Sequence, residues 1–134
     1  MYINNVMKEL TKAEEQIMQI LWKLEKGFVK DILACFPEPK PAYNTVSTIV
    51  RILEKKGFVS HTAYGKTHEY YPAISKEEYT RNFLKRFVEN YFSDSFKELV
   101  SFFAKEKKMG VSELEEIIKT IDREIQKQKA DKNE

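Results

Sequence analysis

Between Thr11 and Gly57 the apolar residues recur every three or four positions in three separate stripes, and the run that follows is strand-like and folds about Gly65-Lys66. This order constrains the chain more than any other feature. A spacing near 3.6 demands helix, whereas a Gly-led pair between two strand-like runs demands a tight hairpin. Three helices and then a hairpin are therefore expected. Thr11-Lys12-Ala13-Glu14 has the form in which a hydroxyl and a carboxylate satisfy the first amides of a helix. Ala13, Ile17, Ile20, Leu21 and Leu24 form its stripe, Met18 and Trp22 widen it, and Gly27 is expected to end it. Phe28 to Phe36 reads as the second helix, with Ile32, Leu33 and Phe36 as its apolar face and Cys35 expected to be partly buried. Pro37-Glu38-Pro39-Lys40-Pro41 then excludes helix, because proline lacks the amide and clashes with the preceding turn. Ala42 to Lys56 is the third helix, closed by Gly57. Gly65-Lys66 fits a type II′ turn, and Pro72 ends the returning strand.

The remainder reads as helical. Ser75-Lys76-Glu77-Glu78 is a second capping box. It opens a helix with Tyr79, Phe83, Phe87 and Tyr91 at every fourth position and Leu84, Val88 and Phe92 alongside. Ser93-Asp94 breaks it. Phe96, Leu99, Val100 and Phe103 stripe a fifth helix, and Ser112-Glu113-Leu114-Glu115 is expected to cap a sixth. The seam of the sixth is Leu114, Ile117, Ile118, Ile121 and Ile125. Lys127 to Glu134 reads as a charged tail that frays. The domain organisation is thus residues 1–74, residues 75–126 and a tail, residues 127–134. The fold class is mainly α with a small β-hairpin wing.

Composition narrows the functions. A lone Cys35 excludes an intrachain disulfide and a multi-cysteine metal cage. The four glycines form neither phosphate-loop signature. No apolar run approaches the roughly 20 residues needed to cross a bilayer, so no membrane insertion is expected. Met1 to Leu10 is polar and lacks the apolar core of a signal peptide, so the expected location is the cytoplasm. His61 and His68 are the only histidines, and neither a second thiol nor a carboxylate pattern completes a metal site. No nucleophile-base pair appears, so the chain is expected not to be an enzyme and to need no cofactor. Lys105-Glu106-Lys107-Lys108 reads as a solvated loop.

A net charge of +2 does not announce a nucleic-acid protein, so the placement of charge has to decide. At about 100° per residue, Val46, Ile49, Val50 and Leu53 share one side of the third helix, and Asn44, Thr48, Arg51 and Lys55 lie almost opposite. That second face holds no acid, and Glu54 points elsewhere. Three helices and a hairpin form the winged helix-turn-helix, whose third helix enters the major groove while the wing meets the neighbouring backbone. Asn44 suits an adenine edge, Thr48 a base or phosphate, and Arg51 a guanine or a phosphate, while Lys55 suits a phosphate. Tyr64, Lys66, Thr67 and His68 belong to the wing.

The helices after Ser75 carry nearly half of the chain's aromatic residues, more apolar surface than so short an annex buries alone. A twofold dimer through Phe83, Phe87, Tyr91, Phe96, Leu99, Ile117 and Ile121 covers it. Such a dimer also spaces two recognition helices about one DNA turn apart. The rival reading is a protein-interaction module in which the winged helix is a docking scaffold, and near-neutral charge favours it.

These residues resemble the penicillinase repressor family of bacterial winged-helix repressors (BlaI/MecI/CopY). The likeness runs from about Leu10 to Glu124. It rests on Leu10-Thr11-Lys12-Ala13-Glu14 with Ile17-Met18 and Leu21-Trp22, and on Tyr43-Asn44-Thr45-Val46 with Thr48. Leu53-Glu54-Lys55-Lys56-Gly57, Tyr70-Tyr71-Pro72 and Phe103-Ala104 complete it. The resemblance implies a homodimeric repressor of a resistance or stress operon, bound to double-stranded operator DNA. The DNA contacts it implies are Asn44, Thr45, Thr48 and Arg51 with Lys66 and His68, and the helices after Ser75 would join the protomers. In the β-lactam branch a membrane sensor protease triggers cleavage at an Asn-Phe bond in the fifth helix. The matching pair here is Phe102-Phe103, so the asparagine is missing. In the copper branch a C-terminal Cys-x-Cys binds metal, and this chain has no cysteine after Cys35.

Overall fold

The computed structural model describes residues 10–106 and 109–132. The polar start before Leu10, the second half of the Lys105–Lys108 run and the last two residues of the tail lie outside them. The first element is α1 (Lys12–Leu24), and its capping box closes in both directions. The Glu14 amide donates to the Thr11 hydroxyl at 3.1 Å, and the Thr11 amide donates to Glu14 Oε1 at 2.9 Å. Glu14 does more than cap. It is 4% exposed, and Lys56 Nζ donates to both of its carboxylate oxygens at 2.9 Å. Ala13, counted in the apolar stripe, is exposed instead.

The helix does not end through Gly27. Glu25 is its left-handed cap, with φ of +73°, and its amide donates to the Leu21 carbonyl at 2.7 Å. Gly27 exchanges two backbone hydrogen bonds with Tyr70 of the wing, at 2.9 and 2.8 Å. A Cβ at Gly27 would meet Asp31 Cβ and Leu24 Cδ1 at 3.3 Å, so the glycine answers to close approach and not to a helix cap.

Next come α2 (Val29–Ala34) and α3 (Tyr43–Lys55). The Phe28 amide donates to Asp31 Oδ2 at 2.9 Å to start α2. Cys35, expected to be partly buried, is exposed. The helix is only six residues long and Cys35 caps its end, leaving Ile32 as its fully buried side chain. Lys40 Nζ then donates to the carbonyls of Ala34 at 3.1 Å and Phe36 at 2.5 Å, a cation at the negative end of α2.

The wing consists of β1 (Val59–Tyr64) and β2 (Thr67–Pro72), antiparallel from Val59 opposite Pro72 to Tyr64 opposite Thr67. Gly65 has φ of +65° and Lys66 has no positive φ, which is the type II′ pattern that needs glycine at its first central residue. The core forms where the helices meet the foot of the wing. Ile17, Leu21, Ile32, Val46, Val50 and Leu53 are fully buried and Phe58 nearly so. Trp22 Nε1 donates to the Ile74 carbonyl at 2.9 Å, and the Tyr79 ring sits 5.5 Å from Trp22 and 6.1 Å from Phe58. These contacts bring the first turns of α4 (Lys76–Tyr91) into the N-terminal compact unit, which runs to Phe87.

The second unit begins at Val88. Ser93 and Asp94 take positive φ of 49° and 62° and end the helical path, as expected. Ser95 Oγ then accepts from the Glu98 amide at 3.2 Å to start α5 (Phe96–Glu106). The final helix, α6, spans Val111–Lys132. It is not capped at Ser112, which lies inside its first turn. Gly110 precedes the helix, its carbonyl accepts from the Leu114 amide at 3.1 Å, and Glu113 reaches back to its amide at 3.3 Å. The stretch expected to fray stays helical through Lys132. It is made of good helix formers, and Gln128 Nε2 donates to Glu124 Oε2 at 3.0 Å one turn earlier. Overall the protein is mainly helical with one two-stranded hairpin, the architecture of a winged helix-turn-helix followed by C-terminal helices.

Candidate nucleic-acid interface

The two sides of α3 are sorted sharply. Val46, Val50 and Leu53 are fully buried, which pins the rod, and Asn44, Thr45, Thr48, Arg51 and Lys55 are all exposed. Thr45 lies about 100° round from Asn44. It borders the proline segment beside Pro39 and Pro41, on the flank away from the wing. Asn44, Thr48 and Lys55 form the outward strip. Glu54, the acid nearest to them, turns to the wing, where its carboxylate lies 2.6 Å from His61 Nδ1.

The wing residues divide by strand alternation. His61, Ala63, His68 and Tyr70 share the face that meets α3. The His61 and His68 rings stack with centroids 3.9 Å apart and planes 5° from parallel, and both stand edge-on to Tyr70. His68 therefore packs within the wing, partly buried, whereas Lys66 projects freely from the turn. No group of three or more histidine, cysteine or acidic side chains that could hold a metal occurs among the described residues.

Tyr70 is the hinge of the arrangement. Burial of its ring, with the charge of Glu54, pushes the phenol above its usual 10.0. The neighbouring Arg51 charge opposes this. Arg51 of α3 and Tyr70 of the wing thus face one another across a shared hollow. Between α2, α3 and the wing lies an open hollow of about 450 Å³, lined among others by Lys30, Tyr43, Ser47, Arg51, Lys66 and Tyr70. Lys30, Tyr43, Ser47 and Tyr70 were not among the sequence-derived site residues. Tyr43, Ser47 and Arg51 follow one another at four-residue spacing, so the row was readable, but nothing in the chain showed that the wing would stand against it.

Of the residues assigned to dimerisation, Phe83, Tyr91, Phe96 and Ile121 are 48%, 72%, 50% and 48% exposed, and Phe87, Leu99 and Ile117 are half-buried. Neither α5 nor α6 has a buried residue. Phe102 and Phe103 are both exposed on α5, and the Phe102 ring lies 5.7 Å from Phe92. No helix among the described residues is long and apolar enough to cross a membrane.

Comparison with known proteins adds to this geometry. The family model described as penicillinase repressor matches residues 10–123. The chain is 24% identical over 116 residues to the methicillin resistance regulatory protein MecI of Staphylococcus aureus, a match covering 86% of this chain and 94% of that protein. The counterpart of the same name in Mammaliicoccus sciuri is 23% identical over the same shares. The penicillinase repressor of Bacillus licheniformis is 19% identical over 115 residues, or 85% of this chain and 90% of that protein.

Proposed function

This chain belongs to the penicillinase repressor family, and from that membership and the geometry of α3 and the wing we propose that it is a homodimeric, sequence-specific DNA-binding repressor acting in the cytoplasm. The observation that carries the reading is the exposed, acid-free strip of α3 beside the wing. Asn44 and Thr48 read base edges in the major groove, while Lys55 and Lys66 hold phosphates on either side. Thr45 serves the flank next to the proline segment, and His68 contributes by stiffening the wing. The relatives' names point to a resistance operon as the regulated target.

Fluorescence-anisotropy titration with random duplex DNA at low salt tests this directly. Binding at or below micromolar protein, weakening linearly on a log–log salt axis, is the expected result. Absence of binding favours the rival reading, a winged-helix docking module, which the net charge of only +2 supports.

The apolar surface left exposed on α4, α5 and α6 supports dimerisation through Phe83, Phe87, Tyr91, Phe96, Leu99, Ile117 and Ile121. Joining two copies makes the second half-site contact intramolecular, so operator occupancy rises with the local concentration. Cleavage between Phe102 and Phe103 by a membrane sensor protease would sever the joining helices and relieve repression. Incubation with such a protease, followed by mass spectrometry, checks this: an intact chain removes that mode of induction.

A further inference from the structure

Resting on the DNA-binding reading above, we propose that the hollow between α2, α3 and the wing is a seat for one backbone phosphate of duplex DNA, and that Arg51, set by Tyr70, holds that phosphate and does not read a base. Three cations, Lys30, Arg51 and Lys66, border the hollow. Among the described residues none of the three forms an ion pair. No acidic side chain is among the residues that line the hollow. Its wall therefore carries three cations and no carboxylate. Tyr43 and Ser47 add hydroxyls suited to phosphate oxygens.

The direction of Arg51 decides between its two roles. A guanine reader projects straight out from α3 so that its fork reaches O6 and N7. Arg51 instead lines the hollow together with Tyr70, a residue 4% exposed and fixed by two backbone hydrogen bonds to Gly27, and its charge acts on the Tyr70 phenol. That placement sets Arg51 on the wall of the hollow. A guanidinium carries several N–H donors in a fork that suits phosphate oxygens. Residues of α3 and of the wing line the hollow together, so the phosphate bridges the two elements that flank it.

The test compares wild type, Arg51→Gln, Arg51→Lys and Tyr70→Phe, each checked for native circular dichroism. Affinity for random duplex DNA is measured across a salt series, and base preference is measured by selection from a random-sequence library. The salt slope of wild type should fall by about 0.9 in Arg51→Gln, the loss of one phosphate contact, with the selected sequence unchanged. Arg51→Lys should restore the slope, because a point charge suffices for phosphate but not for the bidentate guanine pair. Tyr70→Phe, which keeps the buried ring, should bind several-fold more weakly than wild type. If wild type binds but Arg51→Gln keeps its slope or shifts the selected base at a position, the phosphate assignment is overturned and the DNA-binding reading stands. A Tyr70→Phe protein indistinguishable from wild type overturns the positioning role. Failure of wild type to bind any duplex overturns both readings together.

Discussion

At the scale of single residues, Glu14 shows how one side chain serves two levels of structure. Its backbone partner Thr11 is three positions away and its cation Lys56 is 42 positions away. Burial alone would raise its carboxyl above the ordinary 4.5, but the Thr11 amide and the Lys56 ammonium outweigh burial and hold it lower. A carboxyl with a depressed folded value stabilises the native state above its unfolded value, and that contribution is lost as pH falls through the folded value. The Glu14 contribution is therefore complete above about pH 4.5 and drains away below it. Glu14→Gln should cost about 2 kcal/mol at pH 7, the usual scale for a charge-assisted pair removed from a shielded site, and clearly less at pH 3. Urea unfolding at both values measures the difference, and an equal loss at the two would show that the ion pair is not the cause. Lys56→Gln should be at least as damaging at pH 7, because it leaves the shielded carboxylate without its cation.

At the scale of elements, starts and turns carry measurable weight. Ser95 supplies a side-chain acceptor to the first turn of α5, and Ser95→Ala should lower stability by about 1 kcal/mol in thermal unfolding. Gly65→Ala should cost a similar amount, about 1 kcal/mol, since its φ of +65° places a Cβ against the following carbonyl. The wing should loosen first, seen as faster amide exchange at Thr62 and Glu69, which face each other across the ladder. These elements were also the most legible from residue order alone. The stripe of α3, the Thr11 cap, the Gly65-Lys66 turn and the Ser93-Asp94 break are all local, and local backbone chemistry dictates them. Gly27 was misread because its partner, Tyr70, is remote in sequence. Cys35 and Ser112 were misread by a residue or two at helix ends, where Cys35 caps α2 and Gly110 precedes α6.

At the scale of the whole molecule, the exposed apolar faces of α4 to α6 support the proposed self-association. If two copies share these faces, the midpoint of thermal unfolding rises with protein concentration, as mass action requires. Sedimentation equilibrium should then give twice the chain mass of 15.9 kDa. Phe96→Glu should shift the mass towards one chain while leaving the winged unit's near-ultraviolet signal from Trp22 intact. A wild-type protein that sediments as a single chain at all concentrations would remove the dimer from the proposal.

Residue order by itself determined the sequence of elements, the buried side of α3 and the acid-free side opposite, because helical and strand spacing, caps and turns are short-range effects. Family resemblance was legible for the same reason, in blocks a few residues long. Only the tertiary structure decided that Arg51 and Tyr70 line one hollow, that Glu54 is taken up by His61, and that Gly27 joins the wing. Those pairings depend on the distance between side chains brought together by the core, and no periodicity along the chain encodes such a distance.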